Sequence, residues 1–182
     1  MTEPELLDIL KDVDGRLCPG QEWWLFNQAM RLPWFGRILE IGTFHGRSTC
    51  ALALACKDTQ RKVFTIDNDA EAMQRAEWNF AALNIRDRID PWIMDSSALD
   101  DPPYGWPFFD FAFIDGDHTF ESLRRDFYFV RTMMKPKVGA RIAFHDVIDS
   151  WPDVKRFWDD VASKVLKNHE FCHSIASGTL NR

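Results

Sequence analysis

Two stretches of the chain bring acid–base chemistry together within a few residues. One is Ile114-Asp115-Gly116-Asp117-His118, the other Phe144-His145-Asp146. Each follows an apolar run directly. Asp115, His145 and Asp146 offer two carboxylates and an imidazole, a set that suits a divalent cation. Magnesium prefers oxygen donors, so His145 has three readings. It leaves the ion to the carboxylates and water, it favours manganese, iron or zinc, or no metal binds. His118, three residues after Asp115, supplies an imidazole that can take up a proton near neutral pH. Asp117 beside it could orient that ring. As plain structural groups, Asp146 reads as a loop cap, His145 as a rim histidine and His118 as the first turn of a surface helix.

Three further segments suit a nucleoside ligand. Glu40-Ile41-Gly42-Thr43-Phe44-His45-Gly46-Arg47-Ser48 has the pattern E-x-G-x-x-x-G-x-S. Gly42 permits a tight turn and a close approach of backbone to ligand. Asp67 lies 67 − 40 = 27 positions after Glu40, where an acid can accept both hydroxyls of a ribose. Asp95-Ser96-Ser97 could bind the exocyclic amine of adenine, and Asp95 serves equally as an N-cap or turn residue. The dense G-x-G-x-x-G of a pyrophosphate cradle is missing, which argues against a dinucleotide-dependent oxidoreductase.

These residues need a scaffold that gathers them. Short apolar runs at 37–41, 63–66, 89–94, 109–114 and 141–144, with a weaker sixth at 171–175, alternate with helical spacing at 47–57, 70–83 and 118–134. In the last of these, Phe120, Leu123, Phe127, Val130 and Met134 fall on one face. Asn68 followed by Glu71 has a capping-box spacing for the helix before it. Almost continuous apolar strands between helices predict an α/β fold with a doubly wound, mainly parallel sheet. Such a sheet takes its ligand at the carboxyl ends of its strands, where every residue named above lies. Residues 1–34 read as an N-terminal helical cap and 35–182 as the α/β core of a single domain.

Composition narrows the class. Of 182 residues, 46% are hydrophobic and 27% charged, which fits a globular protein and excludes a disordered one. The net charge of −6 makes nucleic acid a poor partner. No apolar stretch approaches the roughly 20 residues a membrane span needs. The acidic N-terminus lacks a signal-peptide core, and Cys18, Cys50, Cys56 and Cys172 form no C-x-x-C pair. A cytoplasmic protein with reduced thiols is expected.

Taken in order, these segments resemble a class I S-adenosylmethionine-dependent methyltransferase. Glu40 to Gly46 matches its first motif, Asp67 its ribose-binding acid and Asp95 its adenine-side acid. The Asp115-Gly116-Asp117-His118 segment narrows the resemblance to sugar O-methyltransferases and cephalosporin hydroxylase-like proteins. Gly139 to Val147 and Val154 to Trp158 fit as well, so the likeness covers roughly residues 37–160. It implies a Rossmann-like methyltransferase fold and O-methylation of a small hydroxylated acceptor, a sugar or a phenol. It also implies cofactor contacts from Glu40, Gly42, Thr43, Phe44, Gly46, Ser48, Asp67, Asp95, Ser96 and Asp115. His118, supported by Asp115, stands where the family places its general base. Asp115 and Asp146 stand where related enzymes hold magnesium, with His145 in place of a usual acid. A non-catalytic adenosyl-binding domain is the alternative reading. The fold normally closes with a sixth and seventh strand, and little chain is left here after residue 175. A C-terminus short of its seventh strand, and a homodimer covering the open edge, are therefore expected.

Overall fold

The computed structural model describes residues 1–99, 105–135 and 139–180. The stretch 100–107, whose Pro, Gly and aromatic content predicts a rigid loop, lies largely outside these residues. Two helices come first, α1 (Glu3–Leu10) and α2 (Gln21–Met30). Then follow β1 (Arg37–Ile41), α3 (Arg47–Leu54), β2 (Lys62–Asp67), α4 (Ala70–Ala82), β3 (Ile89–Ile93), β4 (Phe111–Ile114) and α5 (Phe120–Met133). The chain ends with β5 (Arg141–Phe144), α6 (Pro152–Phe157), β6 (Lys167–Cys172) and β7 (Ile175–Thr179).

The seven strands stand in the order β3-β2-β1-β4-β5-β7-β6. The first five are parallel, and β7 joins β5 and β6 antiparallel. The fold is thus the expected Rossmann-like, mainly parallel sheet. The strand order reverses between β1 and β4, which opens a crevice at their carboxyl ends.

Strand alternation divides the core into two layers. Ile38, Val63, Phe111 and Phe113 face α3, α4 and the N-terminal helices, where Leu6, Leu10, Leu25, Phe26 and Ala29 join them. Leu39, Ile41, Phe64, Ile66, Ala112 and Ile114 face the other way, against Leu123, Phe127 and Val130 of α5 and Val154 and Phe157 of α6. Each strand has an apolar run because both its faces are covered.

Two expectations are corrected. The run at 171–175 is not one strand: it straddles a turn at His173 and Ser174, with β6 before it and β7 after. His173 takes the left-handed conformation there, with φ 52°. The seventh strand is present, and the argument for a dimer from a missing strand falls with it. Edge strand β6 is mostly exposed and polar, and β7 is built of small residues, so neither shows the apolar signal of a central strand. Second, α4 is capped by Asp69, whose side chain accepts from Glu71 N and Ala72 N, and not by Asn68.

Candidate active site

A cavity of about 810 Å³ opens at the reversal point. Its wall includes Gly42, Thr43, Phe44, Ser48, Asp67, Asp95, Ser96, Asp115, His118, His145 and Asp146, all singled out from sequence. Their positions span more than half of the chain, and the parallel sheet brings them to one rim.

The β1–β2 end of the rim is shaped by backbone hydrogen bonds. Gly42 has φ 94°, and a Cβ there would stand 2.0 Å from the Asp115 carbonyl oxygen. Only glycine allows the loop after β1 to press so closely on the end of β4. Asp67 Oδ2 accepts from the N–H groups of Thr43 and Phe44 at 2.9 and 2.7 Å, and Oδ1 accepts from Asp69 N at 2.9 Å. Asp67 thus holds the loop open from one side while facing the cavity. Phe44 sits at φ 48°, exposed, with its ring stacked 3.7 Å from His45. His45 itself turns to Asp14 at 2.9 Å and stays off the cavity wall.

Glu40 and Gly46 do not reach the wall. Glu40 alternates with Leu39 and Ile41, so its side chain points to the α3 face of β1 and is fully buried. Burial pushes its carboxyl up to about 7, although Thr49 and Thr65 donate to Oε2. It underpins the loop from below. Gly46 opens α3 at φ 83°, where a Cβ would meet the Phe80 ring at 2.6 Å.

The β4–β5 end is built of charges. His145 is 3% exposed; its Nδ1 lies 3.1 Å from Asp115 Oδ1 and 3.4 Å from Asp146 Oδ2. Its Nε2 lies 3.0 Å from Gln21 Oε1, an oxygen that also accepts from Cys18 N at 2.7 Å. Since that partner is an acceptor, Nε2 carries a proton; since Nδ1 faces two carboxylates, it carries one as well. Burial alone would lower this histidine, but Asp115 and Asp146 outweigh it and raise the imidazole to about 10. In this arrangement His145 braces the two acids from behind, and it could bind a metal only after losing the Nδ1 proton.

The group that does join them is His118. Its Nε2 lies 3.3 Å from Asp146 Oδ2 and 3.7 Å from Asp115 Oδ1, and its ring stacks 4.3 Å from Trp151. The nitrogen is buried and, among the described residues, has no aligned hydrogen-bond partner. Asp115 first and Asp146 second raise the imidazole to about 9. Desolvation opposes ionisation of Asp146, and the two imidazoles more than offset it and hold the carboxyl below its usual range. Asp146 adopts φ 56°, an uncommon conformation for a non-glycine residue, and Val147 N–H returns to Ser174 O at 2.8 Å.

Donor atoms from Asp115, His118 and Asp146 come within 4.8 Å of one another. Two carboxylates and one imidazole, whose Nε2 is the unsatisfied atom, could hold a divalent cation with remaining positions open to the cavity. An imidazole in the set favours manganese, iron, cobalt or zinc over magnesium.

Several wall residues escaped the sequence reading. Gly15, Arg16 and Leu17 come from the segment between α1 and α2, Trp151 precedes α6, and Asp126 lies on α5. Asp126 did carry a signal: an acid three residues after Leu123 and four before Val130 sits on the apolar stripe of its helix. Gln21 showed none, because its partner His145 is 124 positions away. Arg47, also on the wall, is bound to Glu22 and to the carbonyls of Leu10 and Val13.

A methyltransferase-domain family model matches residues 39–147, from β1 to just past the second charged segment. Solved structures share the fold over almost the whole chain. An O-methyltransferase from Bacillus cereus in complex with SAH is 19% identical, with 98% of this chain and 90% of that one covered at a TM-score of 0.72. The O-methyltransferase TomG from Streptomyces achromogenes, involved in tomaymycin synthesis and solved with SAM, is 19% identical over 98% and 88%, at 0.71. A tRNA methyltransferase, TrmI from Aquifex aeolicus, is 15% identical over 100% and 77%, also at 0.71. At such identities the likeness is one of fold, which by itself does not name the acceptor.

Proposed function

The chain belongs to the methyltransferase-domain family, and from that premise we propose that it transfers a methyl group from S-adenosylmethionine to the hydroxyl of a small acceptor. The observation carrying this reading is the single cavity with two unlike ends, a backbone-shaped glycine loop at one and the Asp115–His118–Asp146 cluster at the other. The glycine loop, Asp67, Asp95 and Ser96 fit the adenosyl part. Methyl transfer from a sulfonium is an in-line displacement, so most of the catalysis is alignment of the acceptor oxygen with the methyl carbon. Trp151, 41% exposed on the cavity wall beside His118, offers a flat face on which a sugar or phenol ring can rest. A net charge of −6 favours a small acceptor over nucleic acid. Among the described residues no helix is long and apolar enough to cross a membrane, and the four cysteines are free thiols, in keeping with a cytoplasmic enzyme.

Asp115, His118 and Asp146 would hold a divalent cation, which supplies a positive charge that lowers the pKa of the acceptor hydroxyl. His118 Nε2 has two uses. It is a ligand when the cation displaces its proton, and without a cation it is the atom that can hold the hydroxyl proton, with Asp115 and Asp146 stabilising the imidazolium. The second use requires a neutral ring, which in the cation-free protein is abundant only toward pH 9. The ligand role is therefore the first reading at neutral pH.

Calorimetric titration with S-adenosylmethionine and S-adenosylhomocysteine, with NAD as control, tests the cofactor. Binding on the order of micromolar for both adenosyl ligands and none for NAD is the expected result. Repeating it after chelation, then with manganese, zinc or magnesium, tests the cation. Folded protein that binds neither adenosyl ligand overturns the reading. Binding without transfer to any hydroxylated acceptor favours the non-catalytic alternative.

A further inference from the structure

We propose that Gln21 is a positioning residue for the reacting end of the cavity: its amide holds the His145 ring in the one orientation that turns Nδ1 toward Asp115 and Asp146. The inference rests on the reading, given above, of those two acids as part of the reacting end.

Gln21 opens α2, is fully buried and is not part of the cavity wall. A glutamine amide has a donor end and an acceptor end, and its neighbours decide which is which. Here two backbone groups decide it. The N–H of Cys18, which can only donate, lies 2.7 Å from Oε1. The carbonyl of Cys172, which can only accept, lies 3.4 Å from Nε2, and the Ser174 hydroxyl accepts from the same Nε2 at 2.8 Å. Turning the amide over would set donor against donor at Cys18 and acceptor against acceptor at Cys172. Oε1 therefore meets His145 Nε2, 3.0 Å away, as an acceptor, and that nitrogen carries a proton whether the ring is neutral or charged.

A histidine ring turns about χ2 in a broad, roughly two-fold well. A half-turn would put Cδ2 where Nδ1 stands, and a C–H would face the carboxylates. Gln21 opposes that turn from the far side of the ring. Cε1 would replace the bonded Nε2–H at its oxygen and strip a buried acceptor of a partner, a loss that costs stability. His145 is 3% exposed, so the place is not open to solvent. With the ring fixed, Nδ1 stays 3.1 Å from Asp115 Oδ1 and 3.4 Å from Asp146 Oδ2, and bridges two carboxylates that follow different strands. The same amide joins three segments: the one between α1 and α2, whose Gly15, Arg16 and Leu17 line the cavity, the end of β5, and the turn between β6 and β7. The N-terminal helices thus reach the chemistry through one side chain.

The test records the imidazole proton–nitrogen correlation spectrum of chelated protein and, by calorimetry, the affinity for manganese. In wild-type protein His145 Nε2 is expected to carry a slowly exchanging proton; a bare Nε2 overturns the proposal without any variant. In Gln21→Leu that slow exchange should be lost, and the manganese dissociation constant should rise about tenfold or more, while that of S-adenosylhomocysteine stays within a few-fold. Ser174→Ala breaks the bond on the other side of the amide and controls for lost packing. It should keep the Nε2 proton and a manganese constant within a few-fold of wild type. An unchanged spectrum and manganese constant in Gln21→Leu, or an equal loss in both variants, overturns the proposal. Should Gln21→Leu not fold, Gln21→Glu keeps an oxygen toward Cys18 and His145 and should keep the Nε2 proton; its loss there counts against the proposal. Wild-type protein that binds no manganese removes the cation reading instead, and the imidazole spectra still decide the role of Gln21.

Discussion

The two ends of the rim solve one problem by different means. At the β1–β2 end, Asp67 spends its carboxylate on three backbone N–H groups of its own neighbourhood, and Gly42 lets that loop rest on the carbonyl of Asp115. Backbone shape does the work. At the β4–β5 end, Asp146 spends its carboxylate on two imidazoles, and one of those is fixed in turn by Gln21 from the N-terminal helices. Charge does the work there, and the parts come from across the chain. Under the proposed function, the difference matches what each end would hold. A cofactor of fixed structure suits a rigid cradle, whereas a reacting hydroxyl needs a field that stabilises a change in charge.

The sharpest way to separate the ends is His118→Ala. Transfer should fall by about 10²–10⁴-fold, about 3–5 kcal/mol, while the affinity for S-adenosylhomocysteine stays within a few-fold. Steady-state kinetics beside calorimetry would show it; a matched loss of cofactor affinity would mean that the two ends do not work apart. Gly42→Ala should do the reverse. Its Cβ cannot coexist with the Asp115 carbonyl, so about 2–4 kcal/mol of stability should be lost in urea unfolding, together with cofactor binding. A variant within 0.5 kcal/mol of wild type would mean that the contact relaxes cheaply.

A smaller effect is expected from pH. His118 and His145 are raised to about 9 and about 10 from an ordinary 6.5, so in chelated protein their stabilisation is complete below pH 6.5. It is lost as pH rises through 9 to 10. Asp146 is lowered, so its contribution holds above its ordinary 3.8 and goes only in more acid solution. Glu40 adds a decline between pH 4.5 and about 7, because burial makes its charged form unfavourable. The melting temperature of chelated protein should therefore fall between pH 7 and 10, and fall less in His145→Asn. An equal fall in both would place the titrating groups elsewhere.

Much of this was legible in the chain because its causes are local. Apolar runs of four to six residues between helical spacings marked the five parallel strands, since a strand covered on both faces has no room for polar alternation. Gly42 and Asp67 announced the cradle because a turn and a strand-end acid are each decided by neighbours in sequence. The C-terminal hairpin was not legible: an exposed edge strand and a run of small residues give no periodic signal.

The sequence by itself thus determined the sheet, the glycine cradle and the list of acids and imidazoles at the strand ends. Tertiary structure alone decided what each of those groups does. His118 is the imidazole grouped with Asp115 and Asp146 at the cavity, while His145 is held from behind by Gln21, 124 positions away. Glu40 is buried beneath the loop rather than lining the cavity, since strand alternation turns it toward α3. Asp126 became a wall residue because the loop carrying Ser96 packs against its helix. Protonation state and burial depend on which groups meet in space, and the chain order of those groups does not record it.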